Sequence, residues 1–148
     1  MSKASLAMQN LARMLFAIEA KHASPEIMQL DTAERVCEKL RLELTRFAGP
    51  VGYSALLSRA WALASAQIPS LKMTYTHNNG HISRRNDSQR NPEVPAGEDR
   101  ETAGIEIVAQ LLGLLVIFIG ESLMVTLISD VWPNESFDMV DLNIEVKS

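Results

Sequence analysis

Residues 107–120, IVAQLLGLLVIFIG, contain no charged side chain, and this run determines how the chain folds. A helix formed by these residues is apolar on every face, so it must be buried in something. It carries about a dozen large apolar side chains, and burial of each is worth ~1.5 to 3 kcal/mol, which makes exposure to water prohibitive. The sequence therefore predicts a central helix around which the rest of the chain packs.

This helix is predicted to begin near residues 99–102 and to continue to Val131, where Pro133 stops it. About 30 residues at the standard rise would give a length of roughly 45 Å. A membrane is an alternative environment for it. However, fourteen uncharged residues fall short of the ~20 that a bilayer requires, and Glu106 and Glu121 bracket them. The flanks also lack the aromatic and basic anchors of a spanning helix, so the sequence argues against a membrane span.

Three shorter helices are predicted before the central one. The first covers residues 4–22, where apolar side chains recur every three or four positions. Asp31 can cap the second, which is predicted to end near Phe47 because Gly49 and Pro50 follow it. The third is rich in alanine and ends at Pro69, and its small side chains allow close packing inside a bundle.

Two segments have the period of a strand. Residues 71–83 alternate in polarity around an Asn-Asn-Gly turn and predict a β-hairpin, and residues 140–146 alternate cleanly and predict a C-terminal strand. Residues 83–100 are polar and predict a flexible loop, and residues 133–148 form an acidic C-terminal tail or strand. The expected fold is one mainly α domain, residues 1–148: a four-helix bundle around a long central apolar C-terminal helix, with a small β-hairpin.

Charge and composition exclude several classes of function. Thirteen of the 14 Lys and Arg residues precede residue 101, but they form no basic stripe, so nucleic acid is not an expected partner. Cys37 is the only cysteine, which excludes an internal disulfide and is typical of a reducing cytoplasm. The N-terminal residues do not form a signal-peptide core. No glycine-rich phosphate loop is present, and we expect no cofactor.

The few residues with chemical potential each have a structural explanation. His77 and His81 flank the hairpin turn and could approach one another, but two ligands make a poor site and we expect no metal. Cys37 lies on an apolar stripe and is expected to be a packed thiol. Glu121 follows the apolar run, so it is either an acid or base with a raised pKa or, the favoured interpretation, a carboxylate paired with an arginine.

The central helix also carries the predicted association surface. Gly113 and Gly120 are seven residues apart and lie near one face, where they admit either a second subunit or a neighbour within the monomer core. Trp132 is expected either to fold over the core, which we favour, or to anchor a partner. The predicted interface comprises Gly113, Leu114, Ile117, Gly120, Glu121, Met124 and Trp132.

These patterns predict a noncatalytic regulatory or protein–protein interaction module that acts as a homo-oligomer, most simply a dimer, since one long apolar helix has more surface than its short companions can cover. The chain is not expected to be an enzyme. A further protein partner could bind the C-terminal strand by strand addition. Two alternatives are a sensor or carrier with an apolar ligand pocket along the central helix, and a membrane-associated protein that inserts through residues 105–128.

Overall fold

The computed structural model describes residues 6–21, 32–78, 81–84 and 97–133. These residues are mainly helical, with one small antiparallel sheet, as the sequence predicts. The predicted hairpin, residues 71–83, is wrong in its start, because residues 71–74 form a short helix and the first strand begins at Tyr75. In chain order the elements are α1 (Leu6–Lys21), α2 (Thr32–Gln67), α3 (Leu71–Thr74), β1 (Tyr75–Asn78), β2 (His81–Arg84), α4 (Gly97–Ile119) and α5 (Glu121–Val131).

Helix α4 is the centre of the bundle, as expected from its uncharged sequence. It packs on α1 and, most extensively, on α2. Its residues Ile107, Leu111, Leu112 and Leu115 are fully buried. A Cβ placed on Gly104 would lie 3.2 Å from Phe16 Cζ, and one on Gly113 would lie 3.8 Å from Met8 Cγ. The contacts move toward the start of α1 as α4 advances, so α1 and α4 are antiparallel.

Helix α2 is two helical limbs joined at a sharp reversal. Gly49 has φ 79° and ψ 166°, a backbone conformation that is essentially restricted to glycine, and Pro50 follows it. A straight helix would separate Thr32 from Gln67 by about 52 Å, yet both border the same pocket. The predicted break at Gly49 and Pro50 is thus confirmed. The second predicted helix corresponds to residues 32–48, and the third corresponds to residues 50–67.

The chain reverses a second time at Gly120, where φ is 90° and ψ is 160°. In one straight helix Gly104 and Trp132 would be about 42 Å apart. Instead Gly104 lies against Phe16, and Trp132 is hydrogen-bonded to Glu19, one turn further along α1. The prediction of a single helix to Val131 is therefore wrong in its length: α4 ends at Ile119, and α5 folds back over α4 and α2.

Both reversals lie at the same end of the bundle. A Cβ on Gly104 would be only 2.8 Å from Ala33 Cβ, so α4 and the first limb of α2 touch at this level. Each then runs sixteen residues to its reversing glycine, and Leu40 and Leu44 of α2 stay as fully buried as the facing part of α4. The two helices therefore run side by side in the same direction and reach Gly49 and Gly120 at about the same height.

The hairpin packs against α2 and connects its two limbs. In the register, Tyr75 pairs with Arg84 and His77 pairs with Ile82. Tyr75 and Ile82 are buried on the inner face, where His77 stacks on Trp61 of the second limb with ring centroids 5.5 Å apart. On the outer face, His81 Nδ1 lies 2.8 Å from Glu38 Oε2 of the first limb. The hairpin thus braces the first reversal.

The remaining predictions on chain organisation lie partly outside the described residues. The predicted loop, residues 83–100, is shorter at both edges, because residues 83–84 belong to β2 and residues 97–100 to α4; residues 85–96 are not described. The acidic tail is described only at Pro133, and the strand predicted for residues 140–146 lies wholly outside the described part of the chain.

Candidate functional site

The reversal end of the bundle carries a group of exposed apolar side chains. Five large ones lie within three residues of Gly49 or Gly120, and we call them the apolar end: Phe47 (51% exposed), Val51 (82%), Ile117 (82%), Phe118 (58%) and Leu123 (39%). Glu121 is the only ionisable residue in residues 47–51 and 117–123. Large apolar side chains scattered singly are normal, but several at one end of a bundle, with few charges beside them in sequence, are typical of an interaction surface.

The predicted interface residues divide between this surface and the interior. Ile117 is the most exposed of them, Gly120 forms the reversal, and Leu114 is half-buried against the core. Gly113 faces Met8 of α1. Of the two alternatives for this glycine, the structure shows the neighbour within the monomer core. Met124 and Trp132 are buried within the chain itself, so they present no surface to a partner in this conformation.

Glu121 is half-buried in the first turn of α5. The predicted arginine partner is not found among the described residues, and the position itself explains a carboxylate here. The first amides of a helix are unpaired and carry a partial positive charge, which favours an acidic side chain by ~0.3 to 1 kcal/mol. Glu121 is therefore accounted for by the start of α5.

A buried ionic cluster at the opposite end of α5 ties three helices together. Glu19 of α1 is only 2% exposed. Its Oε1 accepts a hydrogen bond from Arg35 Nε at 3.2 Å, and its Oε2 accepts one from Trp132 Nε1 at 2.7 Å and is also paired with Lys39 Nζ. Lys39 Nζ lies 6.0 Å from the centroid of the Trp132 ring, within the range of a cation–π contact. We call these four residues the Glu19 cluster.

The electrostatics of the Glu19 cluster keep the carboxylate charged. Burial alone would raise the pKa of Glu19, but hydrogen bonds from Lys39, Trp132 and Arg35 outweigh it and lower the pKa below its ordinary value. The cluster joins the end of α1, the start of α2 and the end of α5. Its geometry is that of a structural clamp: every polar atom of the carboxylate already has a protein donor.

The hairpin histidines are directed to opposite faces of the sheet, because His77 pairs with Ile82 and His81 pairs with Asn78. They therefore do not converge on one point. Burial lowers the pKa of His77, whose Nε2 is buried without a hydrogen-bond partner. Among the described residues, no three His, Cys, Asp or Glu side chains are grouped as metal ligands would be. Cys37 is buried in the core, as a packed thiol.

A cleft of about 670 Å³ lies between α1, the two ends of α2 and the start of α4. Phe16 and Ile105 line it together with polar residues that include Arg13, Gln67 and Glu101. It is on the central helix, as the ligand-binding alternative predicts. However, its lining is mixed rather than apolar, and it lies near Glu106 instead of Glu121.

By length and composition alone, residues 101–119 of α4 are apolar enough to cross a membrane, but 56% of that segment is buried within the protein. A mostly buried core helix of a soluble protein can pass the same test. Insertion through residues 105–128 would also have to extract Ile107, Leu111 and Leu112 from a fully packed core. Each such side chain contributes ~1.5 to 3 kcal/mol to the folded state, so the structure disfavours this route.

Sequence reasoning missed the Glu19 cluster and two of the exposed aromatics, Phe47 and Phe118. Glu19 lies in the first predicted helix, and no local pattern connects it to Trp132, 113 residues later. Phe47 ends the second predicted helix, and nothing in the local sequence shows that it is half exposed next to the reversal. The sequence does contain a signal for the apolar end: several large apolar residues and few charges lie next to Gly49 and next to Gly120.

No protein-family model matches this chain, and comparison with curated proteins and with solved structures also finds no match.

Proposed function

We propose that this protein is a noncatalytic interaction module that acts as a homo-oligomer, most simply a dimer, and that copies meet at the apolar end. The observation that carries the proposal is the grouping of Phe47, Val51, Ile117, Phe118 and Leu123 around the two reversals. Such a surface stabilises a complex by removing apolar area from water, at about 25 cal/mol per Å² before the costs of association.

The low charge of this surface favours a second copy over other partners. Homodimer interfaces are more apolar than those of transient complexes, and their cores are depleted in charged residues. A membrane surface would instead attract Lys and Arg side chains. The nearest basic residue, Arg46, is already paired with Glu43 at 3.3 Å. An apolar patch is also self-complementary, as a two-fold interface requires.

The mass of the protein in solution tests this proposal. We expect the wild type to be dimeric at micromolar concentration in sedimentation or light scattering, and Phe118→Lys and Ile117→Lys to shift it to monomer while circular dichroism stays helical. Met14→Lys is the matched control, because Met14 is an exposed apolar residue of α1 that lies toward the other end of the bundle. A wild type that stays monomeric at high concentration would overturn the proposal, and so would binding to vesicles by the monomer.

The cleft between α1, α2 and α4 supports a second candidate function, a small-ligand sensor. Its volume of about 670 Å³ falls within the range of ligand sites. Its mixed lining, with Arg13 and Glu101 beside Phe16, is suited to a polar aromatic molecule rather than a fatty chain. A thermal-shift screen of small polar aromatics distinguishes the two, because a ligand in the cleft should raise the melting temperature of Phe118→Lys as much as that of the wild type.

A further inference from the structure

The reversal at Gly120 is a single-residue hinge between two helices. Its N–H donates to the Val116 carbonyl at 2.8 Å, and its carbonyl accepts from Met124 N–H at 3.1 Å. Both hydrogen bonds have the four-residue spacing of an α-helix. Only the φ and ψ angles of Gly120 itself depart from helical values. If these two angles changed, α4 and α5 would become one continuous helix over residues 97–131.

The contacts that hold α5 in its folded-back position are made with distant parts of the chain. Met124, Leu127 and Ile128 are buried, and α5 packs on α2 and α4. Trp132 closes the arrangement by donating to Glu19 of α1 at 2.7 Å. A second copy of the chain offers the same groove and the same Glu19, so its α5 can make every one of these contacts. This is the condition for exchange of an element between two protomers.

We propose that the homo-oligomer forms by reciprocal exchange of α5 between two copies, with Gly120 as the hinge. This inference rests on the proposed homo-oligomeric function and names the segment that each copy gives to the other. In the exchanged dimer α4 and α5 form one helix, Trp132 of each chain binds Glu19 of the other, and two straight helices pass each other antiparallel near Gly120.

The apolar end is the reason to expect that a second copy of this chain is the partner. Ile117, Phe118 and Leu123 flank the hinge and are exposed when α5 is folded back. Where two straightened helices cross at Gly120, these side chains of one copy come against the same side chains of the other. The exchange thus covers a surface that the single chain leaves in water, and this contact exists only in the dimer.

The other reversal is not a hinge of this kind. Pro50 restricts Gly49 to non-helical conformations and would clash with the preceding turn of a continuous helix. Tyr53 of the second limb donates a hydrogen bond to the Cys37 carbonyl of the first limb at 3.2 Å. The hairpin also contacts both limbs, through His77 on Trp61 and His81 on Glu38. Exchange is therefore expected at Gly120.

Gly120→Ala tests the proposal, because nothing lies within 4 Å of the added Cβ and only the backbone preference changes. Alanine disfavours the reversed conformation and favours a helix, so we expect the monomer–dimer constant to tighten at least about tenfold while helicity is retained. Gly113→Ala is the matched control: it adds the same atom to α4, at an ordinary 3.8 Å from Met8 Cγ, and should leave the constant unchanged.

Isotope-filtered NMR on a dimer of one labelled and one unlabelled copy then identifies the exchanged segment, in wild type as well as in Gly120→Ala. We expect nuclear Overhauser effects between the Trp132 indole proton of one copy and Glu19 or Lys39 of the other. A dimer in which these contacts are only intramolecular overturns the exchange but leaves the homo-oligomer intact. If wild type and Gly120→Ala are both monomeric, both proposals are wrong.

Discussion

The two reversals of this bundle have nearly the same backbone angles and very different surroundings. Gly49 has φ 79° and ψ 166°, and Gly120 has φ 90° and ψ 160°. Gly49 is followed by Pro50 and braced by the hairpin and by the Tyr53–Cys37 hydrogen bond. Gly120 is followed by good helix-forming residues, and the far end of its helix depends on the hydrogen bond from Trp132 to Glu19. The backbone angles give both turns the same shape, whereas the residues around each glycine decide whether its turn can open.

The largest effect on stability is expected from Glu19→Gln, which removes the carboxylate charge that accepts the hydrogen bond from Trp132 at the end of α5. Arg35 has a side chain only 8% exposed, and it would lose its carboxylate partner. Loss of one partner of a buried ion pair costs up to about 3 to 5 kcal/mol, and the Glu19 carboxylate also holds Lys39 and Trp132. Urea denaturation monitored by circular dichroism measures the loss.

Glu38→Gln is the control for that substitution. Glu38 binds Arg41 at 2.9 Å, but its side chain is 36% exposed, so its loss should cost less than about 1 kcal/mol. Equal effects of the two substitutions would show that the Glu19 cluster is no stronger than a surface pair. Trp132→Phe leaves Arg35 and Lys39 on Glu19 but removes the indole N–H: the lost hydrogen bond to a charged group should cost about 1.5 to 3 kcal/mol, and the smaller buried ring adds the cost of a cavity.

The next effect concerns the first reversal. Gly49→Ala places a Cβ in open space, so only its φ of 79° is strained, at a cost of about 1 to 3 kcal/mol. Because Pro50 prevents the chain from straightening, we expect lower stability and no change of mass. Light scattering alongside urea denaturation checks both. A Gly49→Ala protein that shifted toward larger species as Gly120→Ala is expected to do would remove the distinction between the two reversals.

The same contrast explains what could be predicted from the sequence. Glycine followed by proline is a strong local helix-breaking signal, and it predicted the break in α2 correctly. Glycine followed by Glu-Ser-Leu-Met is compatible with a helix interior, and α5 is as apolar as α4, so a continuous helix was predicted. What reverses the chain at Gly120 is the packing of α5 on α2 and α4 and the contact between Trp132 and Glu19, which are far apart in sequence. The uncharged run located the core for a simpler reason: its apolar composition disfavours contact with water, although Ile117 and Phe118 near its end are exposed.

A smaller effect is expected from acid, through the hairpin that braces the first reversal. Burial lowers the pKa of His77, so the folded protein holds this imidazole neutral while the unfolded chain takes up a proton near the ordinary value of 6.5. Stability is therefore complete above that pH and falls as the pH decreases toward the lowered pKa. Melting temperatures between pH 7.5 and 5 should show the decline.

His77→Phe is the matched variant for this pH dependence, because phenylalanine keeps an aromatic ring on Trp61 and cannot be protonated. In this variant the melting temperature should vary less with pH above pH 5. The decline below about pH 4.5 should remain, since the pKa of Glu19 is lowered in the folded state and protonation there favours unfolding. An unchanged slope between pH 7 and 5 in His77→Phe would mean that another group is responsible.

The smallest effect on stability is expected from Pro50→Ala, and it makes the two reversals alike. Proline limits the unfolded chain, so its loss should cost about 0.4 to 1 kcal/mol, with Gly49 still free to hold the turn. The mass should not change, because glycine, the Tyr53–Cys37 hydrogen bond and the hairpin all remain. Combined with Gly49→Ala, however, the substitution removes both barriers to a continuous helix across residues 32–67. If Pro50 is what prevents opening, the double variant should form species larger than the wild-type dimer in sedimentation, whereas Gly49→Ala alone keeps the wild-type mass. A double variant that kept the wild-type mass would assign the restraint to the hairpin, and adding His77→Ala and His81→Ala would then be required before the first reversal opened.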